Sequence, residues 1–536
     1  MLDEEKNWDQ ELIQIPRSKW TLGNLLTEKA EKNAGKVFLL FQDESVTYDE
    51  FEVRSNQVAN ALISLGVKKG DKIGVFLPNC PEFLFIWFGI AKIGAVMVPY
   101  NSEWKGEILS YILNHSDTRA MILYQDYYDQ LMEVLPKSNF LDFLVIKKGN
   151  KENLPPRSIN LNEFFNQSTK FSPIPLSPHD SFQIMYTSGT TGRSKGVVRW
   201  HEYVILRALR AIRIFGYTSN DVFYTALPLY HGNAQNLSTL PALLVNGKLA
   251  LGKRFSASQF WSDIKKYKAT TFNYIGAMIP ILYKQPETEF DKDHNVRFAR
   301  GAGAPPDIIL DFEKRFNLTL IESYGTTEGG SIHNIPERKI GSLGKPPYYN
   351  EAKIFDENDQ ELPPYKIGEL VFRPKDPDEK WVEYYKDPMA TAEKMKGGWF
   401  RSGDLAYIDK EGFFFFKGRK KDAIRRRGEN ISAQEVETVI NSHPAILECA
   451  AFGVPSELSE EEVMVCMVLK SGYNVTYDEM IQYCEDHMAL FMIPRYLEFM
   501  PSLPKTPTLR VEKYKLKERG ITSNTWDREK RKLVSE

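Results

Sequence analysis

A short stretch of the chain, residues 186–196, combines glycines, hydroxyl side chains and the cation Lys195. Glycine lets successive backbone N–H groups turn inward, hydroxyl groups add donors at the same short range, and a lysine ammonium can reach phosphate oxygens. The stretch therefore predicts a loop that binds a polyphosphate, and the alternative is a flexible polar surface loop. Lys195 is followed by Gly196 where the common P-loop motif requires Ser or Thr, so a kinase or ATPase of that kind is not favoured.

Three further stretches place charged side chains in or beside glycine-containing turns. They are 324–328 (Tyr-Gly-Thr-Thr-Glu), 399–404 (Trp-Phe-Arg-Ser-Gly-Asp), and 418–422 (Gly-Arg-Lys-Lys-Asp) with 428–430 (Gly-Glu-Asn). Each has a purely structural explanation when taken alone, since Glu328 could be a solvated turn residue and Asp404 an ordinary turn cap. Their fixed order behind the phosphate loop is what indicates a shared function.

The elements around these stretches indicate an α/β protein. Alternating strand and helix signals predict doubly wound, mostly parallel sheets with helices on both faces. Ligands bind such sheets beyond the carboxyl ends of strands, so we expect the turns that follow Tyr186 and Tyr324 to face one cleft. The predicted elements include helices at 47–65, 81–94 and 307–316 and strands at 72–78, 96–99, 182–186, 223–228, 271–275 and 319–324.

The pattern changes in the last third of the chain. From Gly368 short strands and tight turns predict a small β-rich subdomain, and the charged stretch 417–428 separates a large domain from a small one. We therefore predict an N-terminal domain at 1–420. A small α+β domain follows at 421–536, with a helix at 432–442 capped by Ser432.

Composition limits the class of protein. The 536 residues are 42% apolar and 26% charged with a formal net charge of -2, which is typical of a soluble globular protein and gives no reason to expect nucleic-acid binding. The four cysteines lie far apart, which favours a reducing compartment. The N-terminus is acidic, and the most apolar stretch, residues 83–99, is interrupted by Lys92 and is too short to span a bilayer. These features predict a cytoplasmic enzyme without a transmembrane segment.

In this order and spacing, the four motifs resemble those of the adenylate-forming superfamily, which includes acyl-CoA synthetases, luciferases and adenylation domains. The resemblance extends from about residue 20 to 520. Within the superfamily, residues 272–278, 424–431, 483–488 and 494–498 look most like the crotonobetaine/carnitine–CoA ligases and the fatty-acyl-CoA synthetases. The resemblance implies ATP, Mg²⁺ and CoA as cofactor and substrates.

The resemblance also implies roles for individual residues. Lys195 and the hydroxyl- and glycine-rich loop before it would hold the ATP phosphates, Glu328 and Thr187 would reach Mg²⁺, and Lys421 would be the hinge between the domains. Gly428 would lie in the CoA region, and the basic run 425–427 could lie along the path of the CoA phosphates or on a solvated cationic face. The resemblance also implies that the domain at 1–420 holds the ATP and acyl sites and that the domain at 421–536 is mobile. The nucleotide-binding residues implied in this way are Thr187, Ser188, Gly189, Thr190, Thr191, Gly192, Lys195, Gly303, Ala304, Pro305, Tyr324, Thr327, Asp404 and Arg419.

The acyl site is implied by two other stretches. His231, in 227–231 (Leu-Pro-Leu-Tyr-His), falls where the family places a ring beside the acyl carboxylate, although a histidine after an apolar run is more often a core residue. Tyr274 and Gly276 should form another wall of the pocket, with Gly276 leaving room for the acyl chain. The aromatic residues Tyr230, Phe272 and Tyr274 could form a cage for a quaternary ammonium, or they could be core residues.

One departure from the family pattern concerns the C-terminal catalytic lysine, which sits in Pro-Lys-Thr-x-x-Gly-Lys. Here residues 503–510 read Leu-Pro-Lys-Thr-Pro-Thr-Leu-Arg, so Arg510 replaces the lysine. Arginine keeps the charge that stabilises the developing negative charge but is wider and planar. Three possibilities follow from this replacement. Arg510 itself takes the role of the lysine, Lys505 or Lys513 takes that role instead, or adenylation is weakened. We favour the first.

The motifs together predict an AMP-forming acid–thiol ligase, in which Arg510, Lys195, Glu328 and His231 are the catalytic residues. A carboxylic acid is activated as acyl-AMP and the acyl group passes to CoA. The acid, whether a carnitine-like compound or a plain fatty acid, is left open by the sequence, as is a homodimeric state. Two alternatives are an adenylating enzyme whose acceptor is a carrier-protein thiol and a nucleotide-binding homologue with weakened catalysis.

Overall fold

The structure is a computed structural model that describes residues 11–135, 141–149, 153–154, 158–187, 194–420, 423–426, 429–456, 461–488, 492–506 and 510–532. Two compact units emerge from its contacts. The described part of the first is 11–187, 194–335 and 376–393, with the gaps already given, and that of the second is 336–375 and 394–532. The polypeptide therefore leaves the first unit at residue 335 and returns to it for residues 376–393.

The first unit contains strands and helices in alternation. Its strands are β1 (Val37–Phe41), β2 (Glu44–Thr47), β3 (Lys72–Phe76), β4 (Val96–Pro99), β5 (Thr118–Tyr124), β6 (Phe143–Lys147), β7 (Ile159–Asn160), β8 (Ser181–Thr187), β9 (Lys195–Trp200), β10 (Val222–Thr225), β11 (Lys248–Leu251), β12 (Thr271–Asn273), β13 (Phe298–Gly301), β14 (Thr319–Gly325) and β15 (Ser331–His333). Its helices are α1 (Leu22–Lys32), α2 (Tyr48–Ser64), α3 (Pro81–Lys92), α4 (Gly106–His115), α5 (Tyr128–Val134), α6 (His201–Phe215), α7 (Leu240–Leu244), α8 (Phe260–Lys266), α9 (Met278–Tyr283), α10 (Pro306–Phe316) and α11 (Pro388–Lys394).

The described strands of this unit form two large sheets. The first has the order β7-β6-β5-β3-β4-β8-β9 and is parallel except for β9, which runs antiparallel to β8. The second has the order β15-β14-β13-β12-β10-β11-β1-β2 and is parallel except for β2 and β15 at its edges. The predicted doubly wound, mostly parallel α/β fold is confirmed.

Local sequence signals explain the helices that were predicted. The side chain of Thr47 accepts a hydrogen bond from the backbone of Glu50, and Glu50 accepts one from the backbone of Thr47, so α2 begins with a capping box. Pro81 begins α3, whose residues are all buried apart from Glu82. Its continuous apolar character is that of a core helix. No helix in the described ranges is long and apolar enough to cross a membrane.

The second unit is smaller and rich in β structure. Its strands are β16 (Asn350–Phe355), β17 (Gly368–Pro374), β18 (Phe400–Ile408), β19 (Phe414–Arg419), β20 (Ala423–Arg426), β21 (Glu429–Ser432), β22 (Ile446–Pro455), β23 (Glu461–Leu469), β24 (Tyr496–Phe499) and β25 (Trp526–Asp527), and its helices are α12 (Ala433–Asn441), α13 (Tyr477–His487), α14 (Lys513–Arg519) and α15 (Arg528–Lys532). β16–β19 form an antiparallel sheet, β20 and β21 a hairpin, and β22–β25 a mixed sheet that shares an apolar core with α12 and α13.

The compact units differ from the predicted domains at 1–420 and 421–536. The β16–β19 sheet, predicted as a subdomain of the large domain, belongs to the same compact unit as the C-terminal α+β elements, and residues 376–393 belong to the first unit. Strand β9 and helix α6, directly behind the phosphate loop, were not predicted. They continue the chain from Lys195 through a buried strand into a helix whose buried face packs in the unit's core.

Candidate active site

The two ends of the phosphate loop are held next to each other. Thr187 ends β8 and Lys195 begins β9, and the two residues are paired across the antiparallel ladder. The Thr187 hydroxyl donates to the Lys195 carbonyl at 3.4 Å. Ser188, Gly189, Thr190, Thr191 and Gly192 lie outside the described residues.

Helix α4 supports both flanks of the loop, which the sequence did not suggest. The Tyr111 hydroxyl donates to the carbonyl of Ser194 at 3.1 Å, and His115 Nδ1 lies 2.7 Å from the Tyr186 hydroxyl. Burial lowers the pKa of the His115 imidazole, so the ring is neutral and pairs with Tyr186 as an uncharged partner. The loop thus begins at a side chain and ends at a backbone carbonyl that are both bonded to a neighbouring helix.

The phosphate loop and the turn after β14 meet at a third residue, Tyr384. Lys195 Nζ lies 5.1 Å from the centre of the Tyr384 ring, and the Tyr384 hydroxyl donates to Glu328 Oε1 at 2.8 Å. Lys195 Nζ is also 3.9 Å from Asp387 Oδ2. Lys195 and Glu328, which follow Tyr186 and Tyr324 in the two stretches, therefore share one neighbour, and that the two turns face one cleft stays a prediction.

The turn after β14 is closed by hydrogen bonds between its own residues and is bonded to the side chain of Tyr203. The Thr326 hydroxyl donates to the Gly329 carbonyl at 2.7 Å and accepts from the Gly329 N–H at 3.1 Å, which closes the turn around Thr327 and Glu328. The Tyr203 hydroxyl donates to the Glu328 carbonyl at 3.3 Å. Thr327 and Glu328 are partly exposed, as side chains that meet a ligand must be.

The predicted adenine segment is fixed by a buried carboxylate. Glu322 accepts hydrogen bonds from the N–H groups of Gly303 (2.8 Å) and Ala304 (3.2 Å) and from the Tyr274 hydroxyl. Burial raises the pKa of Glu322, and these three donors oppose that shift. Gly303 is exposed with a φ of +83°, while Pro305 and Tyr324 are partly exposed. The backbone of 303–304 is therefore held at the end of β13 by a side chain from β14.

Two residues predicted to line the acyl pocket make other contacts in the structure. Tyr274 is fully buried and hydrogen-bonded to Glu322, so it supports the Gly303 segment. At Gly276 a Cβ would lie 2.2 Å from the Gly303 carbonyl oxygen. Its missing side chain allows two backbone segments to approach closely.

Phe272 and Tyr274 are core residues, which is the other possibility left open for them, and strand geometry gives the reason. Successive side chains of a strand point to opposite faces. Phe272 and Tyr274 share one face, where Phe272 packs edge-on against Phe260 and is almost fully buried. Asn273 points to the other face, where its Nδ2 donates to Asn233 Oδ1.

His231 has the features of a ligand-contacting residue. Its backbone N–H donates to the Pro228 carbonyl at 3.1 Å, and its ring lies edge-on to Tyr230 with centroids 4.7 Å apart. Its Nε2 is buried and has no hydrogen-bond partner among the described residues. Burial lowers the pKa of His231 to about 4, so the ring is neutral and its buried nitrogen can donate to or accept from a substrate.

The segment that carries His231 is positioned by a buried amide that sequence reasoning missed. Asn79 Nδ2 donates to the carbonyls of Leu227 (3.0 Å) and Gly252 (2.9 Å), and Asn79 Oδ1 accepts from the Leu229 N–H at 2.8 Å. A π-helical turn, Ala234–Thr239, follows directly. Such turns are frequent at functional sites.

In the second unit, Asp404 and Arg419 face each other across β18 and β19. Arg419 Nε lies 3.4 Å from Asp404 Oδ1, and the two residues are paired in the ladder. Asp404 is mostly buried, with its N–H donating to the Ser402 hydroxyl at 3.0 Å. The two residues assigned to the nucleotide by resemblance are thus neighbours within this unit.

The three cations considered for the C-terminal lysine role differ in their surroundings. Lys505 Nζ is 2.6 Å from Glu448, and Lys513 Nζ is 2.7 Å from Glu437. Arg510 is exposed, and its N–H donates to the Thr506 hydroxyl at 3.1 Å. Both lysines are engaged by carboxylates of their own unit.

One residue of the basic run 425–427, Arg426, does not lie where the sequence predicted it. Arg426 is almost fully buried, pairs with Glu462 at 2.6 Å and donates to the Ile493 carbonyl at 2.9 Å, so it belongs neither to a CoA path nor to a solvated face. Lys421 and Gly428 lie outside the described residues.

The donors near the phosphate loop fit a magnesium ion that is bound together with a nucleotide. No group of three or more His, Cys, Asp or Glu side chains suited to a metal is found in the described part of the chain. Mg²⁺ usually takes one or two protein oxygens, substrate phosphates and waters. The carboxylate of Glu328 and the hydroxyl oxygen of Thr187 are ligands of that kind.

Two family models and several curated relatives match this chain over most of its length. The model of the AMP-binding enzyme family matches residues 26–375, and that of the AMP-binding enzyme C-terminal domain matches residues 435–509. The chain is 33% identical over 516 residues to a crotonobetaine/carnitine–CoA ligase of Proteus mirabilis, covering 91% of this chain and 96% of the relative. It is 32% identical to one from Citrobacter koseri, with 92% and 98% covered.

Solved structures show a similar fold. An anthranilate CoA ligase in complex with anthranoyl-AMP superposes with a TM-score of 0.85 at 24% identity, covering 95% of this chain and 98% of the other. ATP-bound MatB from Rhodopseudomonas palustris superposes with a TM-score of 0.82 at 24% identity, with 93% and 98% covered.

Proposed function

The chain belongs to the AMP-binding enzyme family and is an acyl-CoA ligase, and we propose that it works in two steps at the residues described above. A carboxylate oxygen of the acid attacks the α-phosphorus of ATP, giving an acyl-adenylate and releasing pyrophosphate. The thiolate of CoA then attacks the acyl carbonyl, and AMP leaves with the electron pair of the broken C–O bond. The observation that supports this most directly is the convergence of Lys195 and Glu328 on Tyr384.

In the first step the protein binds and orients the phosphates. Lys195 supplies positive charge to the phosphate oxygens, and Glu328 with Thr187 would hold Mg²⁺, which neutralises charge on the phosphates as pyrophosphate leaves. The backbone of Gly303 and Ala304, with Pro305 and the ring of Tyr324, would form the adenine site. Because Glu322 fixes this backbone, the base would be bound by a preformed segment.

Neutral His231 would orient the acid. Its buried Nε2, which lacks a partner in the described structure, can donate a hydrogen bond to a carboxylate oxygen without carrying charge itself. Arg510 would supply the positive charge that stabilises the negative charge as it shifts to the α-phosphate. Arg510 stands at the position of the family's lysine and keeps its positive charge, which is why we favour it over Lys505 and Lys513.

We propose a small, polar acid in preference to a long-chain fatty acid. Asn233 and Asn273 bond to each other near the His231 segment, and Asn273 Oδ1 is buried without a hydrogen-bond partner among the described residues. A buried amide oxygen without a partner favours an acid that carries a donor. The relatives named as crotonobetaine/carnitine–CoA ligases make a small polar acid the first class to test.

For the second step we propose that residues from 421 onward rotate about Lys421. The rotation would remove Arg510 from the α-phosphate and bring Gly428 to the thiol side, so that one site serves two reactions. The cytoplasm is the proposed location, because the four cysteines are buried and unpaired. Light scattering would decide between a monomer and the homodimer that the sequence leaves open.

The experiment is pyrophosphate release from ATP and a panel of acids, with and without CoA. The panel pairs acids of equal length with and without a hydroxyl or amino group. CoA-accelerated release, greater for the polar member of each pair, is expected. An Arg510→Ala variant should lose about 100-fold or more in acid-dependent release yet still convert chemically prepared acyl-AMP to thioester, whereas Lys505→Ala should keep both. Equal losses of both half-reactions in Arg510→Ala would refute its assignment.

A further inference from the structure

Residues 376–393 lie along the strand that returns from the phosphate loop. The N–H of Tyr385 donates to the Gly196 carbonyl at 2.7 Å, and the N–H of Val198 donates to the Glu383 carbonyl at 2.9 Å. Between these two bonds, Tyr384 forms a bridge with Val197. Tyr384 is thus fixed by main-chain bonds on both sides to β9, whose first residue is Lys195.

The segment is also anchored at a second point, away from the loop. Glu379 accepts two hydrogen bonds from Arg210 of α6, at 2.9 and 2.8 Å, and the side chains of both residues are 9% exposed. A bidentate pair of this kind fixes orientation as well as distance. The Tyr384 side chain therefore starts from a backbone that is held at both ends of residues 379–385.

The Tyr384 side chain contacts two charged residues of the proposed nucleotide site, Glu328 and Lys195. Its hydroxyl donates to Glu328 Oε1 at 2.8 Å, and Lys195 Nζ lies 5.1 Å from the ring centre. Tyr384 is 4% exposed. The hydroxyl therefore meets the Glu328 carboxylate inside the protein, where the phenol is the donor and the carboxylate the acceptor.

We propose that Tyr384 is a positioning residue that sets the Glu328 carboxylate for the nucleotide-bound Mg²⁺ and supports Lys195 on its ring face. The proposal rests on the proposed function, since it concerns the same nucleotide site. The phenol holds one oxygen of Glu328, Oε1, which would leave the other oxygen available to a bound metal. Partners that orient a metal-binding carboxylate commonly change metal affinity by 10–100-fold when they are removed. The ring gives the Lys195 ammonium a favourable face before phosphate binds.

The hydroxyl and the ring can be tested separately. Tyr384→Phe removes only the hydroxyl, so it should reduce the gain in ATP affinity that Mg²⁺ provides by about tenfold or more and leave ATP affinity without Mg²⁺ unchanged. Tyr384→Leu also removes the ring and should weaken ATP binding without Mg²⁺ as well. The matched control is Tyr385→Phe, because the Tyr385 hydroxyl donates to Asp117 at 2.7 Å. This variant should keep the wild-type gain in ATP affinity that Mg²⁺ provides.

The measurement is calorimetric titration of the full chain with ATP, in EDTA and in saturating Mg²⁺, without acid or CoA. Replacing Mg²⁺ by Mn²⁺ adds a spectroscopic readout, since the electron paramagnetic resonance spectrum of Mn·ATP bound to Tyr384→Phe should differ from that bound to Tyr385→Phe.

The outcomes separate the two proposals. A wild-type protein without any Mg²⁺-dependent gain in ATP affinity would overturn the nucleotide-site assignment and the role of Tyr384 with it. A wild-type gain that Tyr384→Phe retains in full, with an unchanged Mn²⁺ spectrum, would overturn the role of Tyr384 alone. Equal weakening of ATP binding in EDTA and in Mg²⁺ by Tyr384→Phe would show a general structural role and would also overturn it.

Discussion

Replacing Gly276 by alanine tests whether this glycine serves the acid or the nucleotide. The added Cβ would lie 2.2 Å from the Gly303 carbonyl oxygen, whereas ordinary contact begins at 3.4 Å, so the two segments must separate by about 1.2 Å (3.4 minus 2.2). The neighbouring atoms are backbone and cannot rotate away. The Gly303 N–H, held by Glu322 at 2.8 Å, would be pulled from its acceptor.

A misplacement of about 1 Å in an active site can lower the reaction rate on the order of 100-fold. We therefore expect Gly276→Ala to lower the rate of pyrophosphate release by about that factor and to weaken ATP binding in calorimetric titration without acid. Pyrophosphate release at limiting ATP should fall equally for short and long acids. The matched variant is Gly232→Ala, whose Cβ would meet the movable Nδ2 of Asn236 at 3.2 Å. This variant should alter the preference among acids, while its ATP affinity stays unchanged.

The opposite result would refute this reasoning. If Gly276→Ala bound ATP as the wild type does and lost activity only with longer acids, the glycine would serve the acyl chain after all. Thermal unfolding of the ligand-free variant is measured alongside, so that loss of the whole fold is recognised.

Three further predictions follow from buried charged and titratable groups. Arg210→Met leaves the Glu379 carboxylate buried without its bidentate partner, and we expect about 3–5 kcal/mol of destabilisation, seen as a lower unfolding midpoint and early proteolysis within 376–393. Burial lowers the pKa of His201 to about 3, below its unfolded value of 6.5. The stabilising contribution of the neutral ring is therefore complete above pH 6.5 and is lost as the pH falls towards 3. The free energy of unfolding, measured from pH 7.5 to 5, should fall less steeply in His201→Asn than in the wild type. His231→Ala should raise the KM for the acid and leave ATP affinity unchanged.

Much of the fold could be predicted because its signals are local. The capping box of Thr47 and Glu50 and the apolar run of α3 are complete within a few residues of sequence, and the structure confirms both elements. The mostly parallel sheets followed from the alternation of such elements. The order of strands, with β9 returning beside β8, did not, because that pairing depends on where a glycine-rich loop sends the chain.

The candidate site was harder to predict, since its supports are distant in sequence. Nothing in the polar stretch around Tyr384 indicates that its hydroxyl meets Glu328, 56 positions earlier. The face on which Tyr274 lies could not be decided from a three-residue strand, and a one-residue change of parity moves a side chain from pocket to core. Arg426 was misjudged for a related reason: its partner, Glu462, is on another strand.

The interleaving of the two units in sequence has a consequence for biosynthesis and for protein engineering. Residues 379–387 contact β9 and the turn at Glu328, but the ribosome synthesises them well after both. The first unit therefore cannot reach its final state when residue 335 appears. A nascent chain stopped at 375 would expose the strand that Tyr385 later pairs with. For the same reason, chimaeras that exchange the second unit between relatives should keep 376–393 with the parent of the first unit.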